Sequence, residues 1–377
     1  MIKLEDILKE LEEIPPLPAA AFELLELTND IHANAGKATS ILGKDPALSL
    51  KVLKAANSCK YGYSRHIGTV SQAVVILGFE GLRSMILGLA IYKFLDKKSD
   101  PYCQHLWNHL LITACLSKMI TTKLGQEDPE LGFLCGLIHD IGKAVLINKE
   151  PEIYSQLTER SDLEHIPLYQ VEQNTLGFTH ADLGREICRS WQLPGVFVRN
   201  VSLHHNKFFS KVDPEETNDL LQTVIVADNL AKLFSVCDKR VVSISPTTLH
   251  LFKHRGIDQQ FLEECLQNLP EEISKLQDSY PGVFAVESQP DIKVFIDLKD
   301  ELQESLMRLF LVGKGYQLVS NKIHGELFVT DEEDKADLEN YLFCDFFSND
   351  THYNDRVMFT NRLQEWISNN TKGTKPV

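Results

Sequence analysis

The chain has 377 residues, 43% of them hydrophobic and 24% charged, which is long enough for two or three soluble domains with cores of their own. A formal net charge of -15 argues against a surface that collects phosphate backbones or anionic lipid, because such binding begins with Lys and Arg neutralising phosphate; nucleic acid is therefore not an expected partner. The eight Cys are scattered without a C-x-x-C pair, so neither a zinc knuckle nor a thioredoxin-type site is expected, and reduced, mostly buried thiols are.

The start, Met1 to Asp6, lacks the basic-then-apolar build of a signal peptide, which predicts a cytoplasmic chain. Pro15-Pro16-Leu17-Pro18 separates a short first helix from a second through Ala19 to Leu27. Asp45-Pro46 places an N-cap acceptor before a proline at the first helical position, and Asn57-Ser58 with Gly62 closes that helix. Thr69 and Ser71 can cap the next helix, which Gly78 ends. The longest apolar stretch, Ser84 to Leu95, contains Lys93 and is too short to span a bilayer, so it reads as a buried core helix and no membrane insertion is expected. These elements make a helical lobe over residues 1–98.

A second helical lobe is expected over 99–285. It opens after Asp100-Pro101 with an amphipathic helix from Trp107 to Leu124. Asp128-Pro129 begins the segment ELGFLCGLIHDIGKAVL, and ADLGREICRSW, VFVRNVSLHH, NDLLQTVIVADNLAKLF and FLEECLQNLPEEISKL follow at helical spacing. The texture changes near Tyr280-Pro281-Gly282. Over 290–377, Lys293 to Ile296 and Glu326 to Val329 are short β-rich runs, with a helix between them that ends near Gly313 and Gly315. The predicted fold is mainly α, a two-lobed helical domain followed by a small α/β domain.

Several of the 13 His are hard to explain by packing alone. His139-Asp140 ends an apolar helix and is followed by Ile141-Gly142-Lys143. His109 shares a helix face with His105 one turn before it. His180, the pair His204-His205, and Asp228 follow downstream. Polar groups on apolar helix faces must be paired if buried, and imidazoles gathered around carboxylates are paired most simply by a divalent cation. Nitrogen and oxygen donors without thiolate suit Fe, Mn or Zn better than Ca or Mg, at one metal or at two. An Asp beside a His can bridge two metals about 3.5–4 Å apart, the spacing that serves in-line attack on phosphorus. Lys143, one turn on, is the candidate catalytic residue, placed to neutralise phosphoryl charge. Any one of these His is more often structural, and a scaffold can also keep such a set as a hydrogen-bonded polar core.

The runs IPPLPAAAFELLELTND and ILGKDPALSLKVLKAANSCKYGYSRHIGTVSQAVVILGFEGLRSMILGLAIY resemble the N-terminal half of HDOD proteins, the HD-related output domain of bacterial signalling. HLWNHLLITACLSKMI, GLIHDIGKAVL, THADLGREICRSWQLPGVFVRNVSLHH and VIVADNLAKLF are similar to its HD-like half, so the resemblance covers about residues 4 to 235. It implies a two-lobed helical fold and an output or scaffolding role without catalysis. Set against the metal pattern of HD-GYP cyclic-di-GMP phosphodiesterases, His109 matches the first His, His139 and Asp140 the HD pair, and Lys143 the lysine after it. His180, His204, His205 and Asp228 match the remaining ligands, and His105 stands where some of those enzymes have a glutamate. The departure is Asn206-Lys207-Phe208-Phe209-Ser210, in place of the G-Y-P loop that grips the dinucleotide.

Residues 291 to 370 faintly resemble a response-regulator receiver. The resemblance makes Asp297 an acidic-pocket residue and Asp331 the phosphoacceptor-like position. Leu298 stands where a second acid is usual and the lysine of the last strand is absent, which implies a degenerate receiver-like domain. Three functional expectations follow: a signalling scaffold with a protein partner, a metal-dependent phosphohydrolase or phosphodiesterase, and a pocket that binds a nucleotide second messenger without cleaving it.

Overall fold

The computed structural model describes residues 19–28, 33–57, 67–95, 101–125, 128–164, 166–205, 219–234 and 255–277, together with four short strands between 293 and 343. The helix expected before Pro15, the loop after His205, the helix expected before Gly313, and Asp331 lie outside the described residues. Two compact units are distinguished, one drawn from Met1–Leu157, Leu168–Ala227 and Asn268–Phe284, the other from Thr158–Pro167, Asp228–Gln267 and Ala285–Val377.

In the first unit the helices are α1 (Ala19–Thr28), α2 (Ala35–Leu42), α3 (Pro46–Ala56), α4 (Val70–Phe94), α5 (Pro101–Lys123), α6 (Pro129–Ile138), α7 (Ile141–Lys149), the start of α8 (Pro151–Glu164), α9 (Leu168–Leu176), α10 (His180–Ser190), α11 (Gly195–Leu203) and the first part of α12 (Asp219–Phe234). Their starts are written in the sequence. The Asp45 carboxylate accepts from Leu48 N–H at 2.9 Å and the Asp128 carboxylate from Leu131 N–H at 2.9 Å, each ahead of a proline at the first helical position. Asn57 closes α3 and also ties the chain across the following segment, accepting from Ile67 N–H and donating to Ile67 O. Gly78, at φ +67°, takes a left-handed conformation that a side chain would strain, and the two halves of α4 bend by 94° there. Among the described residues no single helix is long and apolar enough to cross a membrane.

The core is centred on α5, whose Leu110, Leu111, Leu116 and Ile120 are fully buried. Its closest neighbour is α6, and small residues make the approach possible. A Cβ at Gly136 would stand 2.8 Å from Thr113 O and 2.9 Å from Ala114 Cα, and one at Gly132 would strike the Thr121 side chain. Two of the facing hydroxyls are satisfied within α5: Thr113 donates to His109 O at 2.8 Å and Thr121 to Ser117 O at 2.7 Å. Arg83 and Ser84 of α4 reach Asp128 and Glu130 at the start of α6, and Lys118 of α5 pairs with Glu130. Cys103, Cys115, Cys135 and Cys188 are buried free thiols, as the scattered spacing predicts.

In the second unit, β1 (Lys293–Asp297), β2 (Gln317–Leu318), β3 (Leu327–Thr330) and β4 (Tyr341–Phe343) form a parallel sheet of order β2-β1-β3-β4. Asp297 pairs in register with Thr330. The runs picked out as β-rich are thus strands, while the connecting segments that would make this an α/β domain are outside the described residues. Helix α13 (Gln259–Gln277) begins in this unit, capped by Asp258, which accepts from Phe261 N–H at 2.9 Å.

Replacing Gly136 by Ala should cost about 1–3 kcal/mol, because the new methyl meets α5 backbone that cannot yield without moving the helix. Thermal denaturation should show Tm lowered by several degrees. Gly195→Ala, where a Cβ meets nothing within 4 Å, should leave Tm within about a degree.

Candidate metal centre

Helix ends bring the candidate ligands together. His139 and Asp140 form the two-residue turn between the end of α6 and the start of α7. His180 is the first residue of α10, set by a capping box in which Thr179 and Asp182 satisfy each other's N–H groups. His204 and His205 follow the end of α11, and His109 projects from the middle of α5. Gly142 holds α7 and α10 at contact distance: a Cβ there would overlap the His180 carbonyl, and one at Gly184 would strike Val201 of α11.

The side chains arrange themselves around the fully buried Asp140 carboxylate. Its Oδ1 faces His180 Nε2 at 3.1 Å and His204 Nε2 at 3.2 Å. Its Oδ2 faces His139 Nε2 at 3.3 Å, His109 Nε2 at 3.6 Å and the Lys143 ammonium at 2.5 Å. His109 and His139 approach each other at 3.3 Å between Nε2 atoms, and His180 and His205 at 2.9 Å. One group, Asp140, His180, His204 and His205, thus gathers on one oxygen of Asp140 with ligand atoms all within 4.8 Å, and His109 and His139 gather on the other. Asp228 is buried on α12, an unbroken helix inside which the division between the two units falls, and its Oδ2 accepts from Lys232 at 2.6 Å. His105, one turn before His109 on α5, belongs to neither group.

The opposite ring nitrogens of three of these five histidines are committed to acceptors. His139 Nδ1 lies 2.7 Å from Gly136 O, His204 Nδ1 lies 2.8 Å from Val201 O, and His180 Nδ1 lies 2.6 Å from the Glu172 carboxylate. These partners only accept, so in all three rings Nδ1 donates its proton and Nε2 is turned inward. Burial pushes His204 down to about 4, so at neutral pH its inward nitrogen carries a lone pair. Burial would also depress His180, but the Glu172 and Asp140 carboxylates together outweigh it and raise that imidazole. Burial opposes the charge on Asp140, yet the Lys143 ammonium, His139 and His180 together hold its carboxyl well below the usual range. Spacings of 2.9–3.3 Å between inward nitrogens match the edges of a coordination polyhedron whose metal–nitrogen bonds are about 2.0–2.1 Å.

Glu172, absent from the sequence-based set, sits fully buried on α9. With Leu168 and Val171 it occupies spacing i, i+3, i+4 of an apolar face, and an acid at such a position is the signal that would have exposed it. Tyr169 of the same helix stacks on His205 with ring centroids 4.7 Å apart. Asp297 ends β1 in the second unit, and Asp331 is outside the described residues.

The chain belongs to the HDOD domain family, whose pattern matches residues 14–207, just over half of its length. An uncharacterized protein of Treponema pallidum is 26% identical over 223 residues, 59% of this chain and 43% of that one. Ribonuclease Y of Mycoplasma mycoides is 24% identical over 248 residues, 64% of this chain and 45% of the enzyme. The chain therefore spans less than half the length of these curated relatives. The crystal structure of an HDOD domain protein from Geobacter sulfurreducens has the same fold, with a TM-score of 0.59 and 22% identity over 73% of this chain and 97% of that one.

Protonation of His204 should make the chelator-treated protein acid-sensitive in a definite window. Its value falls from 6.5 to about 4 on folding, so between those pH values the unfolded chain binds more protons and stability rises with pH. His180 contributes with the opposite sign, and Asp140 loses its contribution only below the carboxylate range. Tm measured from pH 7 down to pH 4 should therefore fall as pH drops below about 6.5, and His204→Gln should flatten that fall. A slope unchanged in the variant would assign the acid sensitivity elsewhere.

Proposed function

We propose that the HDOD domain of this chain holds a dinuclear divalent-metal centre, with Fe, Mn or Zn as the candidate ions, and acts as a metal-dependent phosphodiesterase within a signalling protein. The observation that carries this reading is the commitment of the histidines. Nδ1 of His139, His180 and His204 each donates outward, so their Nε2 atoms converge on a carboxylate that is itself an acceptor. A cation between those atoms turns mutual repulsion of lone pairs into ligation.

The residues that would hold the metal are His180, His204 and His205 on the Oδ1 side of Asp140 and His109 and His139 on its Oδ2 side. Metal bound by these residues would supply Lewis acidity toward the phosphoryl oxygens and a lowered pKa for a bound water. Lys143, 11% exposed at the side chain, swings from Asp140 to a phosphoryl oxygen and balances the charge that grows as water attacks phosphorus and the ester oxygen leaves. The ring of His205, backed by Tyr169, lines the partly exposed side of the shell. Likeness to a ribonuclease supports a phosphodiester as the bond attacked. The net charge of -15 favours a short substrate, a nucleotide or cyclic dinucleotide, over long nucleic acid. The order β2-β1-β3-β4 matches the first four strands of a doubly wound flavodoxin-like sheet, which supports reading the C-terminal segment as a receiver-like regulatory domain with Asp297 at the carboxyl end of its first strand and Asp331 as its phosphoacceptor-like position.

A second reading, a non-catalytic output scaffold for a signalling partner, is favoured by Asn206-Lys207-Phe208-Phe209-Ser210 standing in place of a G-Y-P loop. One experiment separates the two. Protein purified without chelators and under reducing conditions should contain close to two equivalents of Fe, Mn or Zn by elemental analysis, and Asp140→Asn should lose most of both. With Mn²⁺ added, bis(p-nitrophenyl) phosphate and cyclic dinucleotides should be hydrolysed, and Lys143→Ala should lower kcat about 10²-fold with the metal retained. Bound metal without turnover would leave the scaffold reading, and protein without metal would end the proposal.

A further inference from the structure

Glu172 is one of the few carboxylates in the described residues that is wholly buried, and it has no lysine or arginine against it. One oxygen, Oε2, accepts twice from the same residue, from the His180 backbone N–H at 2.9 Å and from His180 Nδ1–H at 2.6 Å. The other, Oε1, is buried without a hydrogen-bond partner among the described residues. A carboxylate in that state is costly, and burial for packing alone would be served better by an apolar side chain of like volume. What it does geometrically is fix one ring. The backbone contact sets the start of α10, and the ring contact fixes both the tautomer and the rotation of the imidazole about its side-chain axis. Nε2 is thereby directed at Asp140 Oδ1 and at His205 Nε2.

The partners of the other inward histidines sharpen the contrast. His139 and His204 are oriented by neutral carbonyls three residues earlier in their own helices, a local device that any helix end offers. His180 opens its helix, where the preceding carbonyls are not available to its side chain, and its partner comes from a different helix, α9. A charged partner also makes the imidazole a stronger donor than a carbonyl does. Of the two groups of candidate ligands, only the one on Asp140 Oδ1 contains His180.

We infer that Glu172 is a positioning residue, which holds His180 as an Nδ1–H tautomer and so strengthens cation binding on the Oδ1 side of Asp140, where His180 stands; this rests on the metal-centre reading above. Glu172 touches neither the cation nor the substrate. Its effect passes through His180.

Glu172→Gln tests it, since the amide keeps the volume but removes the charge and leaves one accepting oxygen in place of two. Mn²⁺ binding to chelator-treated protein, followed by calorimetry and by electron paramagnetic resonance, should weaken about 10–100-fold at one of two sites and stay near the parent value at the other. Glu186→Gln, on the outer face of α10, should change neither. A second readout needs no metal: nitrogen-15 NMR of the imidazoles, with His180 assigned by its loss in His180→Asn, should show a single Nδ1–H tautomer in the parent and a mixture in Glu172→Gln. A folded Glu172→Gln with parent affinity at both sites, or with an unchanged His180 tautomer, overturns the inference. If the parent itself binds no Mn²⁺, the metal reading fails, and the tautomer measurement still decides what Glu172 does. If Glu172→Gln does not fold, Glu172→Asp replaces it, with a retracted carboxylate expected to give the same one-site weakening and equal affinity overturning it.

Discussion

The carboxylate of Asp140 is the constraint around which the first unit is organised. It is fully buried, and a lone buried carboxylate would take up a proton rather than bear the loss of hydration. Here the opposite holds, because the Lys143 ammonium and two imidazoles keep it charged. Holding that charge away from water requires partners facing both oxygens, and the groups that face them come from α5, the α6–α7 turn, α7, α10 and the end of α11. The need to place α5, α7, α10 and α11 around one residue explains features that would otherwise look unrelated. Gly132 and Gly136 let α5 close on α6, so that His109 reaches the turn. Gly142 and Gly184 do the same for α7, α10 and α11.

The shell is also more ordered than a retained polar core needs to be. A core that only had to satisfy buried imidazoles could pair Nε2 of one ring with a carbonyl and Nδ1 of another with a carboxylate, in any rotation. Instead the three rings whose Nδ1 partners are described turn the same nitrogen outward and the same nitrogen inward. The inward spacings are those of ligands sharing a centre. His204, neutral at pH 7, then points a lone pair at a carboxylate oxygen, an arrangement that favours a cation between them.

Much of this was legible in the residues. Helix starts were marked by Asp45-Pro46 and Asp128-Pro129, whose chemistry is local, and the left-handed Gly78 was recognisable as a break for the same reason. The histidines and Asp140 stood out because charged and polar groups on apolar faces are rare and need an explanation. The parts that were not legible depend on chain folding across long separations. Which oxygen of Asp140 serves which histidine is set by helix packing, and Gly142 reads as an ordinary glycine until the His180 carbonyl is found against it. Glu172 was missed because an acid is usually solvated, and its apolar-face spacing spans only nine residues of helix. In the C-terminal segment the two β-rich runs were correctly seen as strands, since β-branched and aromatic residues mark strands locally, whereas the pairing order of those strands is a non-local property.

The N-terminal half of the unit has a physical connection to the site without contributing a ligand. Helix α6 is ten residues long, about 15 Å, and carries His139 and Asp140 at its exit. Its entry is held by Arg83 and Ser84 from α4, through Asp128 and Glu130. Its flank lies against α5 with too little space for a methyl group at Gly136. A short, closely packed helix pinned at its entry has little freedom at its exit, so the kinked α4 and the helices packed on it help to define where Asp140 sits. Within the first unit, then, α4 supplies the anchor for α6, and the turn between α6 and α7 is where that anchoring reaches the site.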